Sequence, residues 1–320
     1  MRRLLTVVAV LAGACVGGEA EVREPVPTLF DDSTSTSVDV VEQTAAPTVT
    51  TTLPVIDRLP ELPAEVPGAV VVDGVVLPIL GTDGDAWFLL GPCGEDRVAP
   101  ASTAVMAAPQ HVVLDPGGGD DPAGVATLAL AERTAELLAA DGVQALLTRA
   151  TAVELSASTR GAVGPAVGAR VLVSLHRSEA GTHDSGDGAR PTVFSRAGDA
   201  DSRRLGGLLH QAVVDAIEPH AAAFVSGEEP GVRTLLNQRG ADYFRVLQTS
   251  ADVAAVRVEL PASAQNDPTL LTEEEGRNIE ARALADGIIR YLVTNEEGDG
   301  FVDPVEAVRT APTSNTPGGC

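Results

Sequence analysis

Lysine is absent from this 320-residue sequence: all 22 basic side chains are arginine, against 45 acidic ones, for a formal charge of −23. A GC-rich coding bias explains the missing lysine. The charge balance carries more meaning, because a chain with no excess cation cannot displace counterions from phosphates, which excludes nucleic acid as a partner. Aromatic residues are also scarce, with six Phe, one Trp and two Tyr. Cysteine occurs only at positions 15, 93 and 320, too dispersed for a metal-binding cluster. No apolar run is long enough to span a bilayer.

The apolar run that does occur, Leu4 to Ala14, follows Arg2 and Arg3 and has the length of a signal-peptide core, so the chain is expected to be exported. It ends Ala12-Gly13-Ala14-Cys15, and two readings fit. Cleavage at an A-x-A site gives a freely secreted protein, whereas small residues followed by Cys resemble a lipoprotein signal, with Cys15 lipidated and the membrane reached through that anchor. If Cys15 carries lipid, Cys93 and Cys320 remain as a candidate pair.

Residues 16–67 are rich in Pro, Thr, Ser, Val and acids without apolar periodicity, the composition of a disordered tether. Residues 68–105 alternate short apolar runs with turns such as Asp73-Gly74 and read as a small β module, too small to stand without packing on a neighbour. Residues 106–294 alternate strand and helix patterns. Strands are expected at 111–114, 143–148, 171–175 and 253–259. Helices are expected at 122–140, with Asp121 as N-cap, at 202–217, and from Thr272, where Thr272 and Glu275 have capping-box spacing. This order predicts an α/β fold, a mostly parallel sheet with helices on both faces. Residues 295–320 return to the composition of a tail.

An ordered set of short motifs goes further. Val113-Leu114-Asp115-Pro116-Gly117 is followed by Leu147-Thr148-Arg149, Ser158-Thr159-Arg160, Val173-Ser174-Leu175-His176, Ala241-Asp242-Tyr243-Phe244 and Val256-Arg257-Val258-Glu259-Leu260. The series resembles the zinc-dependent N-acetylmuramoyl-L-alanine amidases of the Amidase_3 type. That resemblance implies peptidoglycan as the substrate or partner, and a zinc held by His, Glu and His, with a further Glu as general base to the metal-bound water. It assigns His176 as the second His ligand and Glu259 as the catalytic base, both at C-terminal strand ends, where open parallel sheets place ligands. The first His falls on Gly118 and the Glu ligand on Ala123, so two donors are missing.

Asp120 is the candidate replacement ligand, while Asp121 is better explained as a cap. His183 and Asp184 read as a solvated loop, and His111, His210 and His220 as structural. Arg257 stands where the family has an apolar residue. Being two positions from Glu259 in a strand, it shares that residue's face. It either snorkels to the sheet margin or pairs with Glu259 and fills the place of an absent metal. Three functions follow: an active amidase with a rebuilt ligand set, a degenerate amidase that binds peptidoglycan with weak or no hydrolysis, or a structural surface protein with a retained fold.

Overall fold

The computed structural model describes residues 59–178, 191–220, 231–261, 274–302 and 306–307. Cys15, the leader up to residue 58, His183, Asp184, Thr272 and Cys320 lie outside the described residues.

A central six-stranded sheet organises the α/β region. Its middle is three parallel strands: β6 (Val112–Pro116), β8 (Val171–Ser178) and β12 (Ala254–Pro261), with β8 between the other two. β7 (Ala145–Leu147) extends the sheet in parallel beyond β6. On the other side β9 (Thr192–Ser195) runs antiparallel to β12, and β10 (Val232–Arg233) follows β9 in parallel. The sheet is therefore mostly parallel, as its near-continuous apolar strands require, because both faces of such strands must be covered.

Strand alternation sorts the side chains into two cores. Val112, Leu114, Val171, Val173, Val256 and Val258 face a core shared with α1 (Pro122–Ala140), α3 (Ala200–Ile217) and α5 (Glu274–Val293). Val113, Leu172 and Ala255 face the opposite core, shared with α2 (Ala157–Ala166), α4 (Arg245–Gln248) and part of the β module. The 122–140 helix has the bounds its sequence signals implied, and Asp121 caps it by accepting from the Gly124 amide at 3.0 Å. Sequence periodicity did not reveal α2, whose N-cap is Ser156, because it contains Gly161, Gly164 and Pro165.

Residues 69–106 form a five-stranded antiparallel sheet in the order β4 (Asp96–Pro100), β3 (Ala86–Leu90), β2 (Val75–Asp83), β1 (Ala69–Val72), β5 (Val105–Met106). It is stitched to the α/β domain by main-chain bonds from Val76 N to Thr148 O (2.9 Å), Gly68 N to Ala166 O (2.8 Å) and Ser156 N to Pro92 O (2.7 Å). The packed chain already begins at Leu59, which lies on the first core, and the Pro60 carbonyl is 3.0 Å from His111 Nε2. His111 Nδ1 accepts from the Gln144 amide, so this buried histidine is a structural brace.

The stretch read as a tail also starts inside the fold. Val232 N donates to Gly300 O (2.7 Å), Val302 N donates to Val232 O (3.0 Å), and β13 (Glu306–Ala307) pairs in parallel with β11 (Leu235–Leu236). Such edge pairing uses backbone groups alone, so it leaves little trace in side-chain pattern. No helix among the described residues is long and apolar enough to cross a membrane.

Candidate active site

His176 and Glu259 occupy partnered register positions on β8 and β12, so the structure brings the two together at one edge of the sheet. Alternation places Asp115, Ser174, His176, Arg257 and Glu259 on the face covered by α2 and α4. Asp115 is the hub. Its fully buried carboxylate accepts from Thr148 Oγ1 (2.7 Å) at one oxygen, and from Arg160 Nη1 (2.7 Å) and Ser174 Oγ (2.6 Å) at the other. A buried charge needs this degree of hydrogen bonding to be tolerated.

Arg257 joins the two retained side chains. Its Nε donates to Glu259 Oε1 at 2.8 Å, Nη2 lies 2.8 Å from the same oxygen, and Nη1 is 3.0 Å from His176 Nε2. The guanidinium sits 4.4 Å over the Phe244 ring, which in turn packs against Phe194 and Tyr243. The side chains of Arg257 and Glu259 are 19% and 6% exposed, so this is a mostly buried pair rather than a snorkelling arginine. Of the two readings of Arg257, the structure selects the pairing.

The contact also fixes the proton on His176. A guanidinium can only donate, so Nε2 must be the acceptor and Nδ1 carries the hydrogen. Ser174 Oγ is 3.1 Å from the same Nε2, but its own proton is directed to Asp115. Burial, reinforced by Arg257, Arg160 and Arg149, holds the imidazole well below its usual pKa and therefore neutral. Its ring rests on Gly117, where an added Cβ would lie 2.1 Å from Cε1.

The other side of the site is the loop from Pro116 to Gly124. Fully buried Arg149 donates to the carbonyls of Pro116 (2.9 Å), Gly117 (3.0 Å), Gly124 (2.8 Å) and Thr151 (2.7 Å), and Thr127 Oγ1 donates to Gly117 O at 2.6 Å. Gly118 has φ +77°, and a Cβ there would stand 2.7 Å from Gly124 Cα. Backbone thus fills the space in which a longer residue at 118 would begin. Asp121 is held by the Gly124 and Gly119 amides, which lower its pKa, and serves as the cap. Asp120 is exposed, and among the described residues no group of three His, Cys, Asp or Glu could hold a metal ion. The structure therefore does not gather Asp120 with His176 and Glu259.

Sequence reasoning missed the Asp115 hub and the Phe244 platform, although both lie within the quoted motifs. It also missed Arg177, one residue beyond His176, which makes two bonds to buried Glu280 of α5 (2.7 and 2.6 Å). Glu280 falls on the apolar stripe of α5, a polar residue on a buried face, which was its only signal.

Solved structures similar to this chain include the amidase AmiC2 of Nostoc punctiforme, at 25% identity over 57% of this chain and 96% of that one, with a TM-score of 0.46. The catalytic domain of CwlV from Bacillus (Paenibacillus) polymyxa is similar at 23% identity over 57% and 97%, with a TM-score of 0.45. Ami1 of Mycobacterium smegmatis is similar at 16% identity over 58% and 97%, with a TM-score of 0.46. A comparison with curated proteins found no match. The family model for Amidase_3, N-acetylmuramoyl-L-alanine amidase, matches residues 112–290, more than half of the sequence, and the chain belongs to that family.

Proposed function

We propose that this chain is an exported, peptidoglycan-directed member of the amidase family that engages the junction between muramic acid and L-alanine with weak or no hydrolysis. The observation that carries the reading is the Arg257 guanidinium held between His176 Nε2 and the Glu259 carboxylate. A neutral imidazole nitrogen has one lone pair, and here an N–H occupies it, so the same pair is not offered to a metal. The general base proposed at Glu259 is likewise engaged in an ion pair.

The residues present do not fit a catalytic zinc, which needs three protein donors and an open fourth position. The two other ligand positions implied by the family pattern carry Gly118 and Ala123, which have no donor atoms, and Asp120 is exposed. Arg257 supplies in covalent form the cation that the family otherwise takes from solution.

Export is supported by the basic and apolar leader, with Cys15 as the candidate lipid attachment point and the cell envelope as the destination. The deciding experiment combines zinc analysis of the dialysed protein, a muropeptide hydrolysis assay and co-sedimentation with insoluble peptidoglycan. The expected result is zinc well below one per chain, no released stem peptide and retention on the pellet. Stoichiometric zinc with peptide release would establish an active amidase with a substitute donor, Asp120 being the first to mutate. Failure to sediment would leave a structural surface protein.

A further inference from the structure

Helix α5 (Glu274–Val293) buries one side in the first core and turns the other to the surface. The outward side carries Glu275, Ile279, Arg282, Asp286, Ile289 and Val293, separated by steps of four, three, four, three and four residues. That alternation keeps a single seam of a helix facing a partner helix over several turns. Glu275, Arg282 and Asp286 are exposed, while Ile279, Ile289 and Val293 are half-buried. Ile279 and Val293 belong to neither core, and Ile289 only borders the first. Open grooves flank the seam, one beside Ala216 and Ile279, the other beside Val143, Ile289 and Val293. A helix face meant only for water carries polar residues along its length, whereas branched aliphatic side chains fill half of this one.

We infer that this seam docks a second copy of the chain, with the two α5 helices antiparallel about a two-fold axis level with residue 284. The order of residues along the seam selects that occupant. Laid against its own reverse, the seam sets Ile279 opposite the partner's Ile289, Arg282 opposite the partner's Asp286 and Glu275 opposite the partner's Val293. The two-fold makes each contact twice, so two pairs of opposite charge lie at the centre with an aliphatic pair on either side. A parallel arrangement would set Arg282 against its own copy and Asp286 against its own copy, and like-charge repulsion disfavours it. Within one chain Arg282 Nη1 comes no nearer than 3.7 Å to Asp141 Oδ2 and 3.9 Å to Asp286 Oδ1, and all three side chains are about half exposed. The guanidinium is therefore available to a carboxylate arriving from outside. Polar residues at the middle of such a seam fix its register at some cost in affinity. From Glu275 to Val293 the seam is about 27 Å long, a contact for a weak, concentration-dependent dimer rather than an obligate one. Helix α5 covers the face of the sheet opposite the one that carries His176 and Glu259, so the inference stands apart from the proposed function.

The test is sedimentation velocity of the full chain over a series of concentrations. Each chain carries a formal charge of −23, so the salt is set at about 0.15 M, where charges more than about 8 Å apart are screened. The boundary should move from the mass of one chain toward twice that mass as concentration rises. Asp286→Arg and Arg282→Asp, both at exposed positions, should each weaken self-association by about tenfold or more, because each puts like charges at the centre. The double variant Arg282→Asp with Asp286→Arg should recover it, and an equimolar mixture of the two single variants should form a heterodimer. The mixture also controls for folding, since an unfolded chain would not capture its complement. A parent chain that stays monomeric into the high micromolar range would overturn the inference. So would single variants that associate as well as the parent, or a double variant no stronger than either single.

Discussion

The two sides of the site are held by different physical means. At the ends of β8 and β12 the chemistry-bearing side chains His176 and Glu259 remain next to each other, and a third side chain, Arg257, engages both. In the loop from Pro116 to Gly124 the backbone itself is held: Arg149 is bonded to its carbonyls, and Gly118 sits at a positive φ where an added Cβ would stand 2.7 Å from Gly124 Cα. One side therefore rests on a side-chain ion pair and the other on packed backbone.

The largest effect is expected from the brace on the loop side. Arg149→Met leaves the carbonyls of Pro116, Gly117, Gly124 and Thr151 without their buried donor and should cost about 4 kcal/mol, read as a fall in the urea midpoint at neutral pH. A loss below about 1 kcal/mol would mean that the loop does not depend on this guanidinium.

Next is the strand side. Arg257→Leu leaves Glu259 buried and deprived of its cation, so about 3 kcal/mol of destabilisation is expected. The double change Arg257→Leu with Glu259→Gln should recover more than half of it, because the neutral amide no longer demands a counter-charge. If the double variant is no more stable than the single, the two residues are not coupled as described.

Gly118→Ala should cost about 2 kcal/mol through its positive φ and the Cβ approach to Gly124. For the same reason Gly118→His with Ala123→Glu should not create a zinc site, even when Arg257→Leu is added. Isothermal titration with zinc alone would show this, and micromolar or tighter binding by the triple variant would show that the loop can open.

The smallest effect lies away from both sides. His210 is half-buried against Gly300, its Nδ1 has no hydrogen-bond partner among the described residues, and desolvation lowers its pKa despite the nearby carboxylates Asp299 and Asp215. The unfolded chain then takes up a proton near pH 6.5 before the native state does. This contribution is therefore absent above that pH and destabilises progressively as pH falls toward the lowered native value, by at most about 1.4 kcal/mol per pH unit. His210→Phe should flatten the acid side of the stability profile relative to the parent. An unchanged slope would assign the acid sensitivity to other groups.

The sequence by itself determined the alternation of the main strands and helices, the helix at 122–140 with its Asp121 cap, Gly and Ala at positions 118 and 123, and, through the resemblance its motifs carry, the placement of His176 and Glu259 at one sheet edge. These follow from local chemistry: apolar period, cap residues, strand alternation and motif order are all written within a few residues of where they act. Alternation even placed Arg257 on the face of Glu259. Only the tertiary structure decided that Arg257 pairs rather than snorkels, since that depends on Phe244 and His176, which lie 13 and 81 positions away in the chain. It alone made Asp115 a hub for Thr148, Arg160 and Ser174, and it alone incorporated residues 59–67 and 295–302 into the fold. Such choices turn on space and on the cost of an unpaired buried charge, quantities that no residue possesses until its neighbours are in place.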